Sequence, residues 1–579
     1  MLALVFPALA VALMAVPAAS AGVTHTAPGS AGVTYYAIGK PVCKRPKPGH
    51  SMCFAMRRVE VKKGTPGAKP YELAAGATPS IFTTGPKATI GPAGGLTPSD
   101  LATAYDFSST ATGTGQTVAI VDAYNDPNIN TDLQTFDSQY GLATCSEASG
   151  CLRVLSQTGT ATLPANDTTG WSLEESLDVE TVHSVCQECK IILLEANSPS
   201  NSNLAAAVDE AATLHATEIS NSYGGPETTT EAAAYSHPGI VITASAGDDG
   251  YYDFDLLGAV NKPNAPASFN TVVSVGGTSL YLGQSATRQS ETVWNDNGTK
   301  DYYEQILGAG LGAGGGGCST VITAQGWQTH VSDWASTACG SHRLVNDIAA
   351  DADYLTGFDV HDTYDPGTCS GCASSVWETI GGTSLASPII AAMFGLAGGA
   401  HGVSYPALTL YGHLGSSSLY DVTSGGNGYC GGEGASTCGD PNTLGAGIVD
   451  CDYPASGTTP SAGDTACDAA RGYDGPAGVG TPIGLGAFAK TGPTAKIAGP
   501  TSVASGATNT WTATTTDPFP GGIVTSYSWN WGDGSSPTVT TTPSAMHDYA
   551  ASGSRTITLT VKDNYGQTGI ATYKVTVTT

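Results

Sequence analysis

Short runs rich in apolar residues alternate with helical patterns through the middle of the chain. Four of these runs, at 117–122, 190–195, 218–222 and 240–245, have the length of single strands. Apolar strands separated by helical patterns such as residues 203–215 are typical of parallel strands that are covered on both faces. The pattern therefore predicts an α/β domain built on a doubly wound, mostly parallel sheet.

After about residue 490 the pattern changes to alternating polar and apolar residues. Residues 501–515 and 555–561 alternate in this way, with Gly and Pro turns nearby. Alternation of this kind is typical of antiparallel strands with one exposed face. We therefore predict that residues 490–579 form a separate, small all-β, Ig-like sandwich and that residues 93–489 form the α/β domain.

The beginning of the chain divides into two parts. Residues 1–21 form an apolar run that ends Ala-Ser-Ala, the small-x-small pattern of a signal-peptidase site. We interpret this run as a secretory signal peptide cut after Ala21, so we expect a secreted, extracellular protein with no membrane contact after cleavage; a single membrane anchor is the alternative. Residues 22–92 contain the densest basic cluster, and we interpret them as a propeptide or a small N-terminal module.

The 14 cysteines are expected to form structural disulfides, because secreted proteins meet an oxidising environment. Cys186-x-x-Cys189 and Cys369-x-x-Cys372 also have a spacing that zinc sites use. The sequence has no Cys/His set at finger spacing around either pair, so disulfides are the preferred interpretation.

Acidic residues outnumber basic ones by 49 to 22, which gives a net charge of −27. Nucleic acids and anionic membranes are bound through clustered Lys and Arg, so neither is an expected partner. Charged residues make up only 12% of the chain. A surface of this kind gains little self-repulsion when its carboxyl groups become protonated, which suits an acidic environment outside the cell.

One serine, Ser384, has the setting of a catalytic nucleophile. Two glycines precede it, and a helical run at 387–396 follows it with Pro388 in its first turn. The N–H groups at a helix N-terminus point toward negative charge that develops on a reacting oxygen. The usual base for such a serine, a histidine in a His-Gly-Thr-His setting, does not occur in the sequence.

A pair of carboxylates offers another base. Glu174 and Asp178 lie four residues apart in a segment with helical texture, 171–185, so they share one face of the helix. Two close carboxylates do not readily ionise together, so one keeps its proton at mildly acidic pH. Glu174 can then accept the serine proton while Asp178 orients and supports it. An ordinary acidic surface helix is the alternative, and Glu175 and Glu180 lie nearby.

Three polar residues each follow or end an apolar run: Asp122, Ser222 and Asp248. The working groups of parallel sheets gather at the carboxyl ends of the strands. A protonated Asp248 at such a position could donate a hydrogen bond to an oxyanion. A plain Asp-Gly turn is the alternative for Asp248.

An ordered series of short motifs runs through residues 96–486, and it includes Leu96-Thr97-Pro98, Glu174-x-x-Leu177-Asp178, Ser220-Asn221-Ser222-Tyr223-Gly224, Ala246-Gly247-Asp248 and Gly382-Thr383-Ser384. In this combination and order the motifs resemble the sedolisins, or serine-carboxyl peptidases, which share the subtilisin fold. The resemblance implies that Ser384 is the nucleophile and Glu174 the base. It also implies that Asp178 is the partner of the base and Asp248 the acid of the oxyanion hole.

The sedolisin resemblance further implies one structural calcium ion, bound late in the α/β domain. The implied ligands are oxygens, which suit a hard cation. They come from the side chains of Asp421 and Asp474 and from the backbone carbonyls of Val422, Ala470 and Gly472. Two unrelated loop aspartates are the alternative.

The last segment resembles a PKD domain. The motifs that carry this resemblance lie at residues 527–534, 547–549 and 561–563. Trp529, in the first of them, is expected to pack between two sheets. The resemblance implies either a spacer or a weak binder of protein or polysaccharide.

The preferred hypothesis is a secreted, acid-acting and monomeric serine-carboxyl endopeptidase. It would hydrolyse proteins or peptides through a Ser384 acyl-enzyme, with Glu174 and Asp178 as the acid pair. One alternative is a subtilisin-type protease that uses Asp122 with a histidine. The other is a non-catalytic surface-binding protein on a protease scaffold.

Overall fold

The structure, a computed structural model, describes residues 35–65, 68–71, 91–107, 113–252, 262–283, 286–296, 312–364, 376–428 and 465–579. The predicted signal peptide and the pair Cys369 and Cys372 lie outside these residues. Within the described ranges, no helix combines the length and the apolar character needed to cross a membrane.

The strands of the described residues are numbered in chain order: β1 (Tyr35–Pro41), β2 (Met52–Cys53), β3 (Met56–Glu60), β4 (Lys69–Tyr71), β5 (Thr117–Ala123), β6 (Leu152–Ser156), β7 (Lys190–Ala196), β8 (Glu218–Asn221), β9 (Tyr223–Pro226), β10 (Val241–Ser245), β11 (Asp249–Tyr251), β12 (Asn264–Ala265), β13 (Val273–Leu282), β14 (Arg288–Val293), β15 (Ala313–Thr323), β16 (His342–Val345), β17 (Ile348–Asp351), β18 (Phe358–His361), β19 (Trp377–Gly381), β20 (Leu419–Tyr420), β21 (Thr481–Pro482), β22 (Thr494–Ala498), β23 (Ser502–Ala504), β24 (Asn509–Thr516), β25 (Val524–Asn530), β26 (Thr538–Thr540), β27 (Ser544–His547), β28 (Gly553–Asp563) and β29 (Thr568–Thr578). The α-helices are α1 (Pro98–Ala104), α2 (Ile129–Tyr140), α3 (Trp171–Val185), α4 (Asn201–Thr213), α5 (Gly326–Thr329), α6 (Thr383–Ala397) and α7 (Ala407–Tyr411).

The main sheet of the α/β domain has eight strands, in the order β14-β13-β10-β8-β5-β7-β6 with β17 paired to β13. Its pairs are parallel except for β13 with β14. The four apolar runs of the sequence are β5, β7, β8 and β10, which lie side by side. Helices α3 and α6 pack against the sheet and against each other, and α4 packs on β5 and β7. The predicted α/β class with a mostly parallel sheet is confirmed.

Helix α3 is buried along its whole length. All fifteen of its residues are buried, including the acidic Glu174, Glu175, Asp178 and Glu180. An acidic surface helix, the alternative that the spacing left open, is therefore wrong for this segment. Since charged side chains are rarely buried unless something compensates them, the position of these carboxyl groups demands a chemical explanation.

Helix α6 begins at Thr383, four residues before the helical run that the sequence predicts. Pro388 therefore lies inside the helix and not in its first turn, which corrects the prediction. A proline has no N–H to donate to the carbonyl four residues earlier, here that of Ser384. The hydroxyl of Ser222 lies 3.3 Å from that carbonyl oxygen and donates to it instead.

The N-terminal region forms part of the same folded unit. Strands β1, β3 and β4 join β18 and β19 in an antiparallel sheet, in the order β18-β19-β3-β1-β4. Strand β2 pairs with β9 at the edge of a second small sheet. A disulfide joins Cys43 to Cys53. Residues 51–60 are thereby held against the α/β domain on both sides.

Disulfides also join Cys145 to Cys151, Cys186 to Cys189 and Cys318 to Cys339. The disulfide interpretation of Cys186-x-x-Cys189 is confirmed, and the zinc alternative is excluded for that pair.

The C-terminal segment is a sandwich of two sheets, β22-β24-β27 and β23-β29-β28-β25-β26. Its core holds three tryptophans, Trp511, Trp529 and Trp531, all fully buried. The predicted position of Trp529 between the sheets is confirmed. The sandwich contacts the α/β domain through Tyr565, whose ring lies 5.7 Å from that of Trp327.

Candidate active site

Ser384 lies in the first turn of α6, where the backbone turns sharply at Gly382. Gly382 has a φ of +94°, which side-chain-bearing residues rarely adopt. The Ser384 hydroxyl donates to the carbonyl oxygen of Ser222 over 3.0 Å and accepts from the N–H of Phe54, also over 3.0 Å. Its own backbone N–H donates to the carbonyl oxygen of Phe54. A peptide group of the N-terminal region therefore lies directly against the predicted nucleophile.

Helix α3 brings Glu174 and Asp178 to this serine. Burial raises the pKa of Glu174 well above its ordinary value, the charge of Asp178 raises it further, and an interaction with the Ser384 side chain lowers it. Since the hydroxyl donates to Ser222 here, its contact with Glu174 falls short of a full hydrogen bond. Glu174 thus borders the predicted nucleophile, and Asp178 lies one turn further along the same helix.

Asp178 is linked to the serine through Ser222. The Ser222 hydroxyl lies 2.8 Å from Asp178 Oδ1 and also reaches the carbonyl oxygen of Ser384. A hydroxyl has one proton, so it cannot fully satisfy two acceptors. If Asp178 carries a proton, Asp178 donates to Ser222 and Ser222 donates to Ser384, which satisfies the whole chain. Burial, followed by the charge of Asp122, raises the pKa of Asp178 well above its ordinary value, in agreement with this arrangement.

Asp122, at the carboxyl end of β5, is a third acid of the site. It is fully buried, and its two carboxylate oxygens find no hydrogen-bond donor among the described residues. Burial raises its pKa to about 8. Its charge acts on both Glu174 and Asp178. The position of Asp122 at the end of an apolar run predicts a place among the working groups, but the one specific role predicted for it was that of partner to a histidine.

The other acids of α3 point elsewhere. Glu175 accepts the N–H of Asp126 over 3.1 Å, and Glu180 accepts the N–H of His361 over 2.9 Å. The choice of Glu174 and Asp178 as the pair nearest the serine is thus the one that the helix geometry favours.

Imidazole is not among the groups that contact the serine in the described part of the chain. His183, on α3, lies 2.8 Å from the carbonyl oxygen of Ala143 and 3.2 Å from Asp137. The partners of the Ser384 hydroxyl are backbone groups of Phe54 and Ser222. The described residues therefore give no support to a subtilisin-type pairing of Asp122 with a histidine.

Asp248 follows β10 and faces the same peptide group. Its Oδ1 accepts the N–H and the hydroxyl of Thr383 over 2.7 Å and 2.9 Å. A methyl group placed on Gly382 would overlap the Phe54 carbonyl oxygen and come within 2.6 Å of Asp248 Oδ2, so the two oxygens border one small volume. Burial raises the pKa of Asp248 well above its ordinary value. A protonated Oδ2 would be a donor aimed at that carbonyl region.

The segments predicted to bind calcium also come together. Asp421 accepts the N–H of Gly472 over 3.0 Å, and Asp474 accepts those of Ala470 and Ala477 over 2.9 Å each. Asp474 is buried, and burial, then the charges of Asp421 and another nearby aspartate, raise its pKa well above the ordinary value. Carboxyl groups that oppose one another in this way form an oxygen-rich place that fits a hard cation.

Comparison with known proteins agrees with this geometry. A sequence model of the subtilase family matches residues 156–409, and one of the PKD domain matches residues 490–578. Sedolisin from Pseudomonas sp. (strain 101) is 29% identical over 361 residues, which are 59% of this chain and 57% of sedolisin. Kumamolisin from Bacillus sp. (strain MN-32) is 29% identical over 351 residues, 57% of each protein. The chain thus spans little more than half the length of these relatives.

A solved structure of Pseudomonas sedolisin, a serine-carboxyl proteinase complexed with two molecules of pseudo-iodotyrostatin, superposes with a TM-score of 0.50. That match has 27% identity and covers 68% of this chain and 96% of the sedolisin chain. The chain therefore carries a subtilase-type peptidase domain of the serine class, followed by a PKD domain. Within that class it is a homologue of sedolisin and kumamolisin, as the ordered motifs of the sequence predicted.

Proposed function

We propose that this protein is a secreted, acid-acting serine-carboxyl endopeptidase that hydrolyses proteins or peptides. One observation carries the proposal: a peptide carbonyl accepts the N–H of Ser384, while the buried Glu174 interacts with the Ser384 side chain and the buried Asp178 is linked to the same serine through Ser222. No described imidazole contacts this serine. The homology to sedolisin supports it. An inactive surface-binding scaffold is disfavoured, because a complete acid set beside a positioned serine serves chemistry and is costly to bury.

The reaction begins with attack of Ser384 Oγ on a substrate carbonyl carbon. Glu174 accepts the hydroxyl proton. Asp178 and Asp122 share the remaining protons of the acid cluster, so that the three carboxyl groups are not all charged at once. The Ser384 N–H and a protonated Asp248 stabilise the negative charge on the carbonyl oxygen. The leaving amine takes a proton from Glu174, and water then hydrolyses the ester to release the acid product and restore Ser384.

The dependence on acidic pH follows from the crowding of the three carboxyl groups. Glu174, Asp178 and Asp122 cannot all be ionised in one water-free site, because their negative charges repel one another. Some of these carboxyl groups must therefore stay protonated while Glu174 takes up the serine proton and later returns it. Asp248 must also be protonated to donate. As pH rises above the range in which Asp178 and Asp248 keep their protons, the oxyanion loses its carboxyl donor and the buried acids gather negative charges that repel one another, so activity falls.

The direct test is a pH–activity profile on a denatured protein, measured for the wild type and for Ser384→Ala. We expect activity that is highest at acidic pH and is lost in the variant. Glu147→Ala, which changes an exposed acid outside the site, is the matched control and should keep wild-type activity. Activity in Ser384→Ala, or a profile that peaks at alkaline pH, would overturn the proposal.

We further propose one structural calcium ion, held by the carboxylates of Asp421 and Asp474 and by the carbonyls of Val422, Ala470 and Gly472. The support is the approach of the two segments and the opposed charges of the aspartates. The ion would neutralise these charges and fix two loops; it takes no part in the hydrolysis.

For the PKD domain we propose a spacer role; protein binding is the alternative. Residues 490–579, all of which are described, bury their tryptophans. Their large exposed hydrophobic side chains are Ile523, Val539, Met546 and Ile570. The aromatic side chains of this domain are buried or, like Tyr565 and Tyr573, only partly exposed, which argues against a flat aromatic platform for sugar stacking. The expectation of a monomer stays a prediction.

A further inference from the structure

We propose that the peptide bond between Phe54 and Ala55 is a self-cleavage site of this chain. The inference rests on the proposed peptidase function and adds the first substrate: the protein's own N-terminal region. It is carried by the way in which residues 52–57 lie across Ser384, with contacts to both sides of this one bond.

On the N-terminal side of the bond, the chain is bound as a strand. Met52 lies opposite Gly224 and Cys53 opposite Tyr223, in antiparallel pairing of β2 with β9. The N–H of Phe54 donates to the carbonyl oxygen of Ser222 over 3.2 Å. Strand addition of this kind fixes the direction and register of a peptide without regard to its side chains.

On the C-terminal side, the chain pairs with the strand that leads into the nucleophile. Met56 lies opposite Gly381 and Arg57 opposite Ile380, in antiparallel pairing of β3 with β19. Arg57 also forms an ion pair with Glu378. Two separate strands of the peptidase domain therefore hold the chain, one before and one after the bond, and leave Phe54 and Ala55 between them.

The carbonyl of Phe54 is the group presented for attack. Its oxygen accepts the N–H of Ser384 over 3.0 Å and lies beside Gly382 and Asp248, where the oxyanion would form. Its N–H is 3.0 Å from Ser384 Oγ, so the attacking oxygen is within reach of the same residue. Nucleophile and oxyanion donors thus meet at one carbonyl, as catalysis requires.

The side chain of Phe54 fills a pocket that a glycine makes possible. A methyl group placed on Gly224 would come within 2.6 Å of the Phe54 ring, and Phe54 is only 3% exposed. The missing side chain at Gly224 therefore makes room for an aromatic residue before the scissile bond. The same pocket predicts a preference for aromatic residues at that position in other substrates.

Cleavage breaks the C–N bond between Phe54 and Ala55. Ser384 Oγ bonds to the Phe54 carbonyl carbon and gives its proton to Glu174, which passes it to the nitrogen of Ala55. Water then cleaves the ester, leaving a carboxylate on Phe54 and a free amino group on Ala55. The disulfide of Cys43 and Cys53 lies wholly in the N-terminal fragment, so no covalent bond holds that fragment to the rest of the described chain after the cut.

The test follows the full-length chain after transfer to acidic pH, by intact mass and N-terminal sequencing at several protein concentrations. We expect a new N-terminus at Ala55, formed at a rate that does not depend on concentration, and none in Ser384→Ala. Phe54→Asp should slow this cleavage at least about tenfold, since a charge replaces the ring in an apolar pocket. Lys62→Gln, an exposed change outside the paired strands, should leave the rate unchanged.

A second readout does not depend on how the Phe54 variant folds. A linear peptide spanning residues 50–60, with Ser in place of Cys53, should be cut by the processed protein between Phe and Ala; the same peptide with Gly in place of Phe54 should be cut at least about tenfold more slowly. If the protein digests a denatured protein while the bond between Phe54 and Ala55 stays intact, this inference is wrong and the proposed function stands. If neither the denatured protein nor the bond between Phe54 and Ala55 is hydrolysed at any acidic pH, the proposed function is wrong, and so is this inference.

Discussion

The two domains of this chain differ in how strongly burial shifts the pKa of their carboxyl groups. In the peptidase domain, burial raises the pKa of Asp122 and Glu218 to about 8 and that of Glu195 to about 9. In the PKD domain burial acts to raise the pKa of Asp533, but the hydrogen bonds from Ser535 and His547 and the charge of His547 together outweigh it and lower the pKa to about 2. Burial also raises the pKa of Asp517 and Asp563 in the PKD domain, but the carboxyl groups whose pKa is raised well above the ordinary value lie in the interior of the peptidase domain.

This contrast has a defined sign for stability. Asp122 has a folded-state pKa above its unfolded value of 3.8, so its contribution is full below that value and is lost as pH rises through about 8. Asp533 behaves in the reverse manner: its contribution is present above 3.8 and is lost as pH falls through about 2. The peptidase domain should therefore lose stability between pH 4 and pH 8, where the Asp533 contribution does not change.

The largest difference between variants of the two domains is expected in kcat. Glu174→Gln removes the proposed proton acceptor and should lower kcat by about 10³-fold or more, a loss of the size seen when a member of a catalytic unit is removed. Asp533→Asn, in the PKD domain, should leave kcat unchanged. Initial rates on a denatured protein at acidic pH measure both, and a Glu174→Gln variant with near-normal kcat would mean that another group takes the proton.

The next effect is thermal. Each pKa unit is worth about 1.4 kcal/mol, so the raised carboxyl groups together should make the peptidase domain less stable at pH 8 than at pH 4 by several kcal/mol. Differential scanning calorimetry across this range should show a falling Tm for the main transition. The Asp122→Asn variant cannot ionise at this position, so its Tm should fall less between pH 4 and pH 8. If the Tm of the variant falls as steeply as that of the wild type, Asp122 does not cause the effect.

Calcium removal should act on the peptidase domain alone. A chelator is expected to lower its unfolding free energy by about 2 to 3 kcal/mol if calcium is otherwise present at roughly a hundred times its Kd. Asp421→Asn should reduce the response to the chelator, and added magnesium should not replace calcium. If the chelator does not change the Tm, the proposed calcium site between Asp421 and Asp474 is wrong.

The smallest effect is expected for Asp248→Asn. An amide can donate to an oxyanion as a protonated carboxyl does, so kcat should fall by about tenfold rather than vanish. Because the amide does not ionise, the activity profile should extend to higher pH than that of the wild type. Comparison of the two pH profiles is the measurement, and identical upper limbs would count against a protonated Asp248.

The sequence carried much of the fold and part of the site. The apolar runs predict the central strands because strands buried on both faces must be apolar, and the motifs predict Ser384, Glu174 and Asp178. The start of α6 could not be predicted, since the conformation of Gly382 and the partner that replaces the missing N–H of Pro388 are both tertiary facts. The contact of Phe54 with Ser384 could not be predicted either, because a contact between residues 330 positions apart leaves no local signal in the sequence.

The proline inside α6 ties the site to a choice that helix propensity alone would reject. Pro388→Ala would restore a backbone hydrogen bond and favour the isolated helix by about 3 kcal/mol. It would also release the Ser222 hydroxyl from the carbonyl of Ser384, and so break the hydrogen-bonded link between Asp178 and the backbone of the proposed nucleophile. A regular hydrogen-bond pattern in this helix and the contact between Ser222 and the backbone of the proposed nucleophile therefore exclude one another, and this sequence has the contact.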